Sequence, residues 1–502
     1  MPDVVFVFEV HQPRRIRREI PYNVLLDSIR SRLSVESLEK YIFNSELDRL
    51  VVERASKRCY IPANNIILNA IEEFKRGSKR FKVSYSISGV FLGQCEKWAP
   101  EVIESFRALA STGIVEFIEQ TFYHSLASLL SEPGEFIEQL KMHREIMKDI
   151  LGVEPLVAEN TEFIYNNRIA WILNNLGYKA VLTEGVERVL WWRSPNYVYK
   201  AWGCKLRVLM RNYRLSDDIG FRFSDRNWSE YPLTAGKYAA WVSATPGDII
   251  VIAMDYETFG EHHWPESGIH DFLYWLPREL LKWDNVETIT PSEAVEKHEV
   301  KDEIDVPEWG TISWADERDL SAWLGNEMQQ RCFKLYQELE AYVKALGDPT
   351  ILRIWRLLGV SDHYYYMATK RGATEEVHSY FSPHKSPILS YQIYLTSLTL
   401  LVAILSHKIN DNRIKVAKRL RVDLSRAFQF FEKPGKPVGI QARSLIELLN
   451  AIEIVPEKSI RYHVENRDLQ KWLTTMFGLE DVSAKLDELI GLEEANFKEK
   501  II

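Results

Sequence analysis

Through the first three hundred residues, short apolar runs alternate with longer stretches whose apolar positions recur every three or four residues. The short runs are "VVFVFEV" (4–10), "KVSYSIS" (82–88), "VEFIEQT" (115–121), "PLVAEN" (155–160), "KAVLTE" (179–184), "LRVLMRN" (206–212), "DIIVIAMD" (248–255) and "VETIT" (286–290). Their length and their β-branched and aromatic content predict strands. Between them, "GEFIEQLKMHREIMKDILG" (134–152) sets Phe136, Leu140, His143, Ile146 and Ile150 close to one stripe and stops at Gly152. "NRIAWILNNLG" (167–177) repeats the pattern, and both read as helices. Strands alternating with helices predict parallel βαβ units. Polar chemistry follows nearly every strand: "HQP" (11–13), "GVFLGQCEKW" (89–98), "FYHSL", "TEFIYNN", "YRLSDD" and "MDYETFGEHHW" (254–264). In α/β barrels that end of the strands builds the site.

From about residue 300 the pattern changes. "EVKDEIDVPEWG" (299–310) reads as an acidic linker. Long helical patterns follow at 318–346, 349–369 and 386–411, and a small unit of mostly helical pattern begins at about 424. The expected division is a barrel at 1–300, a helical domain at 301–420 and a small C-terminal domain at 424–502. No repeat of solenoid spacing is present.

Composition narrows the class. A chain of 502 residues, 46% hydrophobic and 27% charged, is globular and too long for one ordinary core. A net charge of −8 spread along the chain argues against a nucleic-acid partner. Cys59, Cys95, Cys204 and Cys332 lie far apart without a CxxC pair, so reduced buried thiols are expected. "MPDVVFVFEVHQP" lacks a basic start and cleavage site, and the most apolar helical stretch (395–409) is shorter than a bilayer needs. A cytoplasmic protein without a membrane partner is the expectation. Aromatic residues in polar runs, as in "LWWRSPNY" (190–197) and "ISWADE" (312–317), suit a cleft that stacks on sugar rings.

The stretch "MDYETFGEHHW" admits three readings. On a strand Asp255 and Glu257 point to one side and Tyr256 to the other. The run could therefore present catalytic carboxylates, a metal site or a paired structural network. A metal site would draw on His262, His263 and Glu261 with His11 or His124, but neighbouring His residues rarely reach one ion and no HExxH is present. "LVAENTEFIYNN" supplies Glu159 and Glu162 at another strand end. Two carboxylates from different strands at one barrel mouth are the minimum equipment for glycosidic bond cleavage. Acids paired with Arg on the rim would look the same in sequence.

The opening strand with "HQP", then "ENTEFIYNN", "MDYETFGEHHW" and "SWADERDLSAWLGNEMQ" (313–329), occur in the order and at the spacing of a known motif series. Together they resemble glycoside hydrolase family 57, the α-amylase and 4-α-glucanotransferase family. The likeness runs through "SDHYYYM" (361–367) and "VHSYFSP" (377–383). It implies an α/β fold, an incomplete (β/α)7 barrel followed by an α-helical bundle, and a retaining mechanism without a cofactor or metal. The family's nucleophile matches Glu162 and its acid/base matches Asp255, whose carboxyl must be protonated before attack. His11 matches a sugar-contacting residue, and Trp314, Asp316 and Asp319 fall in a motif that closes the cleft. Gln12, His124, Glu257, His262, Trp264 and Trp192 complete the expected substrate contacts. Retention implies carboxyl groups about 5–5.5 Å apart.

One departure stands out: Glu159 occupies a position where a basic residue is expected. The implied partner is an α-1,4-glucan such as starch, glycogen or maltodextrin. A glucan-binding protein without activity and a metal-dependent deacetylase or mannosidase-type enzyme are the alternatives. In the tail, His463, Arg467 and Asp468 read as a charge-paired surface, with glucan or partner docking as the other reading.

Overall fold

The computed structural model describes residues 2–30, 33–369, 382–491 and 497–501; most of "VHSYFSP" lies outside the described residues. Contacts divide the chain into two compact units. The first comprises Met1–Arg18, Phe43–Gln330 and Gly359–Gln392, and the second Glu19–Ile42, Arg331–Leu358 and Ile393–Ile502.

The first unit carries β1 (Asp3–Val10), β2 (Ser84–Ile87), β3 (Glu116–Ile118), β4 (Val157–Glu159), β5 (Ala180–Glu184), β6 (Val198–Ala201), β7 (Arg207–Arg211), β8 (Ile249–Asp255), β9 (Glu287–Thr288) and β10 (Glu303–Ile304). Parallel pairing runs β3–β2–β1–β8 and β4–β5–β7. A parallel bridge between Glu119 and Ala158 joins β3 to β4, and a single paired position, Arg211 with Val251, joins β7 to β8. The seven strands β1 to β5, β7 and β8 thus form a nearly closed parallel barrel. Where the β7–β8 ladder is thin, side chains take over its hydrogen bonds. Arg211 Nε donates to Ala253 O at 2.7 Å, and Ala253 N donates to Ser216 Oγ at 3.1 Å.

Period-two alternation decides what faces inward. Val4, Phe6, Phe8 and Val10 of β1 join the core between barrel and helices, with Ile250, Ile252 and Met254 of β8. Val5 and Val7 join the interior core with Val157, Ala180, Leu182, Leu209, Ile249, Val251 and Ala253. One further step along each strand, the inward position turns polar: Glu9, Ser86, Glu159, Glu184, Arg211 and Asp255, with Gln120 just after β3. This layer is knit together across strands. Glu9 lies in register with Ser86 and Asp255, Gln120 Nε2 donates to Ser86 Oγ at 2.8 Å, and Arg211 Nη1 donates to Glu184 Oε2 at 2.9 Å.

The segment expected to be an acidic linker instead runs along the barrel. β10 pairs with β6, which lies antiparallel on β7 outside the ring. Further on, Tyr165 and Ile312 exchange backbone hydrogen bonds at 2.9 and 3.0 Å, which delivers Trp314 to the barrel mouth. Its acidic residues are exposed while Ile304, Val306 and Ile312 are buried, the alternation of an edge strand.

Among its described residues the second unit is helical except for a hairpin and an isolated bridge between Arg421 and Ser444. Trp355 stacks on Tyr336 with centroids 4.7 Å apart and donates to Tyr336 O at 3.0 Å. The apolar stretch at 395–409 belongs to a longer helix, Pro387–Asp411, of 25 residues. By length and composition it could cross a membrane, contrary to the expectation from sequence, but half of its apolar window is buried within the protein. The tail opens with an antiparallel hairpin, β11 (Phe428–Lys433) and β12 (Lys436–Ala442), followed by short helices. His463, expected on the surface, is buried: it accepts from Phe431 N at 2.8 Å and faces Asp468 Oδ2 at 2.8 Å.

Candidate active site

At the carboxyl ends of the barrel strands lies a cavity of about 450 Å³. Its wall includes Glu9, His11, Gln12, His124, Glu162, Arg211, Asp255, Glu257, His262, Trp314, Asp316, Asp362 and Tyr365, all contributed by the first unit.

Glu162 reaches it from a single turn after β4. Its backbone is left-handed (φ 62°), as is that of Phe163 (φ 53°). Two successive non-glycine residues in that region are costly, by about 1 kcal/mol or more each. The surroundings hold them there. Phe163 is fully buried and stacks on Trp314 with centroids 4.9 Å apart, Trp314 N donates to Glu162 O at 3.2 Å, and Trp314 Nε1 donates to Glu162 Oε2 at 2.7 Å. The strain thus aims one carboxylate into the cavity with an indole N–H fixed on one oxygen.

Asp255 ends β8, where the strand breaks into the turn Tyr256–Thr258. Among the described residues no group donates a hydrogen bond to its carboxyl. Burial, then the charge of Glu162, raises it to about 7, against the pull of His124 and Arg211. Arg211 is itself tied to Glu184 and, through Nη2, to Asp217 Oδ1 at 2.6 Å, with Arg318 on the same acids. These are acids paired with Arg on the rim; Asp255 and Glu162 are not among them.

Glu257 follows as a buried third acid, raised to about 8 by burial and then by Asp255. Tyr60 OH donates to its Oε1 at 2.5 Å and Gln12 Nε2 approaches the same oxygen at 3.4 Å. Tyr60 gets there through a π-helical turn, Ser56–Tyr60, set between two α-helices. Glu9, in the cavity wall, and Glu159 are buried; His124 Nδ1 approaches Glu9 Oε1 at 3.1 Å, and neither carboxylate makes a well-formed hydrogen bond. Burial raises both; Glu159 and Glu162 push Glu9 further, whereas Ser86 and His124 pull Glu159 back before Glu162 opposes them, leaving it at about 7.

Also in the cavity wall, the rings of His11 and His124 stack, centroids 4.1 Å apart. His124 Nε2 lies 3.6 Å from Glu162 Oε1, and its Nδ1 meets Gln120 Oε1 at 2.9 Å. Burial opposes a charge on either ring. Glu162 and then Asp362 raise His124 regardless, whereas burial and the neighbouring His124 lower His11 to about 4. Burial also disfavours the Asp362 anion, but contact with His11, then His124, holds its carboxyl below the usual range.

Of the residues expected from sequence, Glu162, Asp255, His11, Gln12, His124, Glu257, His262, Trp314 and Asp316 line the cavity. Trp192, Trp264 and Asp319 do not. Trp192 is 86% exposed, Trp264 lies under the Arg58 guanidinium, and Asp319 accepts from Ser321 N at 2.8 Å to fold its own loop. The metal grouping weighed around 261–263 does not assemble: Glu261 pairs with Arg54, and His263 Nε2 meets the Ile219 and Gly220 carbonyls at 2.9 and 3.1 Å. Sequence reasoning missed Glu9, Arg211, Asp217 and Asp362. Continuing the inward alternation Val5, Val7 by one step would have found Glu9.

The model of the family described as Glycosyl hydrolase family 57 matches residues 5–307. A Methanocaldococcus jannaschii protein that carries the provisional name alpha-amylase is 45% identical over 404 residues, covering 79% of this chain and 83% of that one. A branching enzyme of this family from Thermococcus kodakaraensis, solved with glucose, superposes with a TM-score of 0.56 over 82% of this chain and 94% of that one, at 16% identity. The chain spans 56% of the length of Thermococcus litoralis 4-alpha-glucanotransferase, with 72% of its own residues covered, a TM-score of 0.49 and 17% identity.

Proposed function

The chain belongs to glycosyl hydrolase family 57, and from that premise we propose that it cleaves or transfers α-1,4-linked glucan with retention, using Glu162 as nucleophile and Asp255 as acid and base. The observation that carries this reading is the asymmetry of two acids that line one cavity. Glu162 Oε2 accepts from the Trp314 indole N–H at 2.7 Å, which fixes one oxygen and leaves the other for attack. Asp255 is raised to about 7 by burial and by Glu162. One carboxylate is thus set to attack and one carboxylic acid to donate.

In the first step the Glu162 oxygen not bonded to Trp314 attacks the anomeric carbon as Asp255 delivers its proton to the departing glycosidic oxygen. A β-linked glycosyl ester on Glu162 and a shortened chain result. With Glu162 esterified, the charge that raised Asp255 is gone, so Asp255 ionises more readily and accepts a proton from the acceptor, water or a sugar hydroxyl. The second attack restores the α-configuration. His124, which Glu162 and Asp362 keep prone to protonation, supplies positive charge beside the nucleophile.

Incubation of the wild type, Glu162→Gln and Asp255→Asn with maltoheptaose tests the assignment. Products from wild type and a loss of about a thousandfold or more in each variant are expected. Shorter products alone would mean hydrolysis, longer ones also transfer. Wild-type rates in either variant would remove the assignment.

A further inference from the structure

Two imidazoles and a carboxylate meet on the cavity wall with a nitrogen unaccounted for. One ring nitrogen of His11, one of His124 and one Asp362 oxygen lie within 4.8 Å of one another. His11 Nδ1 is engaged by Ser88 Oγ at 2.7 Å, and His124 Nδ1 by Gln120 Oε1 at 2.9 Å with Glu9 Oε1 at 3.1 Å. His124 Nε2 lies 3.6 Å from Glu162 Oε1, so the nitrogen left over is His11 Nε2. His11 Nε2 sits in a side chain only 9% exposed, 3.2 Å from Asp362 Oδ2. That contact is one of charge, and the nitrogen makes no well-formed hydrogen bond.

We propose that His11, His124 and Asp362 form a site for a divalent transition-metal ion of the zinc type, and that filling it shuts down glucan turnover. The inhibitory role rests on the reading of Glu162 as nucleophile. Two imidazole nitrogens and one carboxylate oxygen select zinc and its neighbours over magnesium or calcium. The partners on both Nδ1 atoms fix the rings as second-shell groups do around bound metals. Tetrahedral bonds to nitrogen and oxygen place ligand atoms about 3.3 Å apart. The His11–Asp362 separation of 3.2 Å already meets this, and the third ligand requires His124 to turn out of its stack on His11.

The open fourth position lies beside Glu162, whose Oε1 is 3.6 Å from His124 Nε2. An ion there engages the electron pair that the nucleophile needs and takes the space of the sugar ring.

The test uses the full chain, stripped by a chelator and titrated with zinc against a chromophoric competitor while maltoheptaose turnover is followed. Binding of one zinc per chain is expected, with a loss of turnover of about tenfold or more that tracks occupancy and reverses with chelator. Asp362→Asn should weaken zinc binding by about tenfold or more. A rise in the wild-type unfolding midpoint with zinc, lost in the variant, gives a second readout. No binding at millimolar zinc, or equal binding by the variant, overturns the site. A stripped enzyme that is inert and revived by zinc overturns the inhibitory role. Zinc binding by a chain with no turnover in any condition keeps the site and overturns the glycosidase reading instead.

Discussion

Asp255 keeps its proton up to about neutral pH because of where it sits, and the sign of its pH dependence follows. Burial comes first and Glu162 second among the causes that bring it to about 7. As the acid it is competent below that value, so kcat/KM should fall about tenfold per pH unit above neutrality. In Glu162→Gln the second cause is absent, and carboxyl NMR should find Asp255 titrating lower than in the wild type; an unchanged value would mean burial alone is responsible. Glu159 and Glu257, at about 7 and 8, share the direction. A carboxyl raised on folding contributes stability below its unfolded value and loses it as pH rises through the folded one. The unfolding midpoint should therefore decline from pH 5 to pH 8 (about the span of these values), and Glu159→Gln should flatten that decline. This scale was well legible in sequence for Glu162 and Asp255, which follow strands. It was not for Asp362, whose place opposite His11 depends on a helix far along the chain.

At the scale of elements, the loop after β8 is held against the π-helical turn that supplies Tyr60. Gly260 has φ 143°, and a Cβ there would fall 2.1 Å from Arg58 O. Neither backbone can yield cheaply. Gly260→Ala should displace the loop, break the Tyr60–Glu257 hydrogen bond and lower the unfolding free energy by about 2 kcal/mol or more, with kcat falling more than stability at 25 °C implies. Thermal denaturation and maltoheptaose kinetics on the same preparation check this. The barrel strands were readable because buried on both faces they become continuous apolar runs. β6, β10 and the tail hairpin were not. β12 is mostly exposed, so its run "KPVGIQA" lacks an apolar alternation, although the Pro434–Gly435 turn before it was a visible hairpin signal.

For the whole molecule, the question is what the second unit contributes to the chemistry. Every described residue lining the cavity lies between Glu9 and Tyr366 and belongs to the first unit. The tail, by contrast, builds a core of its own. Phe428 and Phe430 pack against His463, Phe428 also meets Trp472, and Ser459 Oγ donates to Phe431 O at 2.9 Å. Its hairpin and helices thus satisfy one another. A chain lacking residues 424–502 should fold and turn over maltoheptaose with kcat/KM within about threefold of the full chain, since the tail's aromatic core is internal to it and Val422, which pairs with Arg443, becomes a solvated chain end. Circular dichroism establishes folding, and the kinetics then decide. A loss of more than about tenfold in a folded, truncated chain would place part of the catalytic machinery's support in the tail. An unchanged rate on maltoheptaose with a raised KM on glycogen would give the tail a grip on long chains, separate from the chemistry at Glu162 and Asp255.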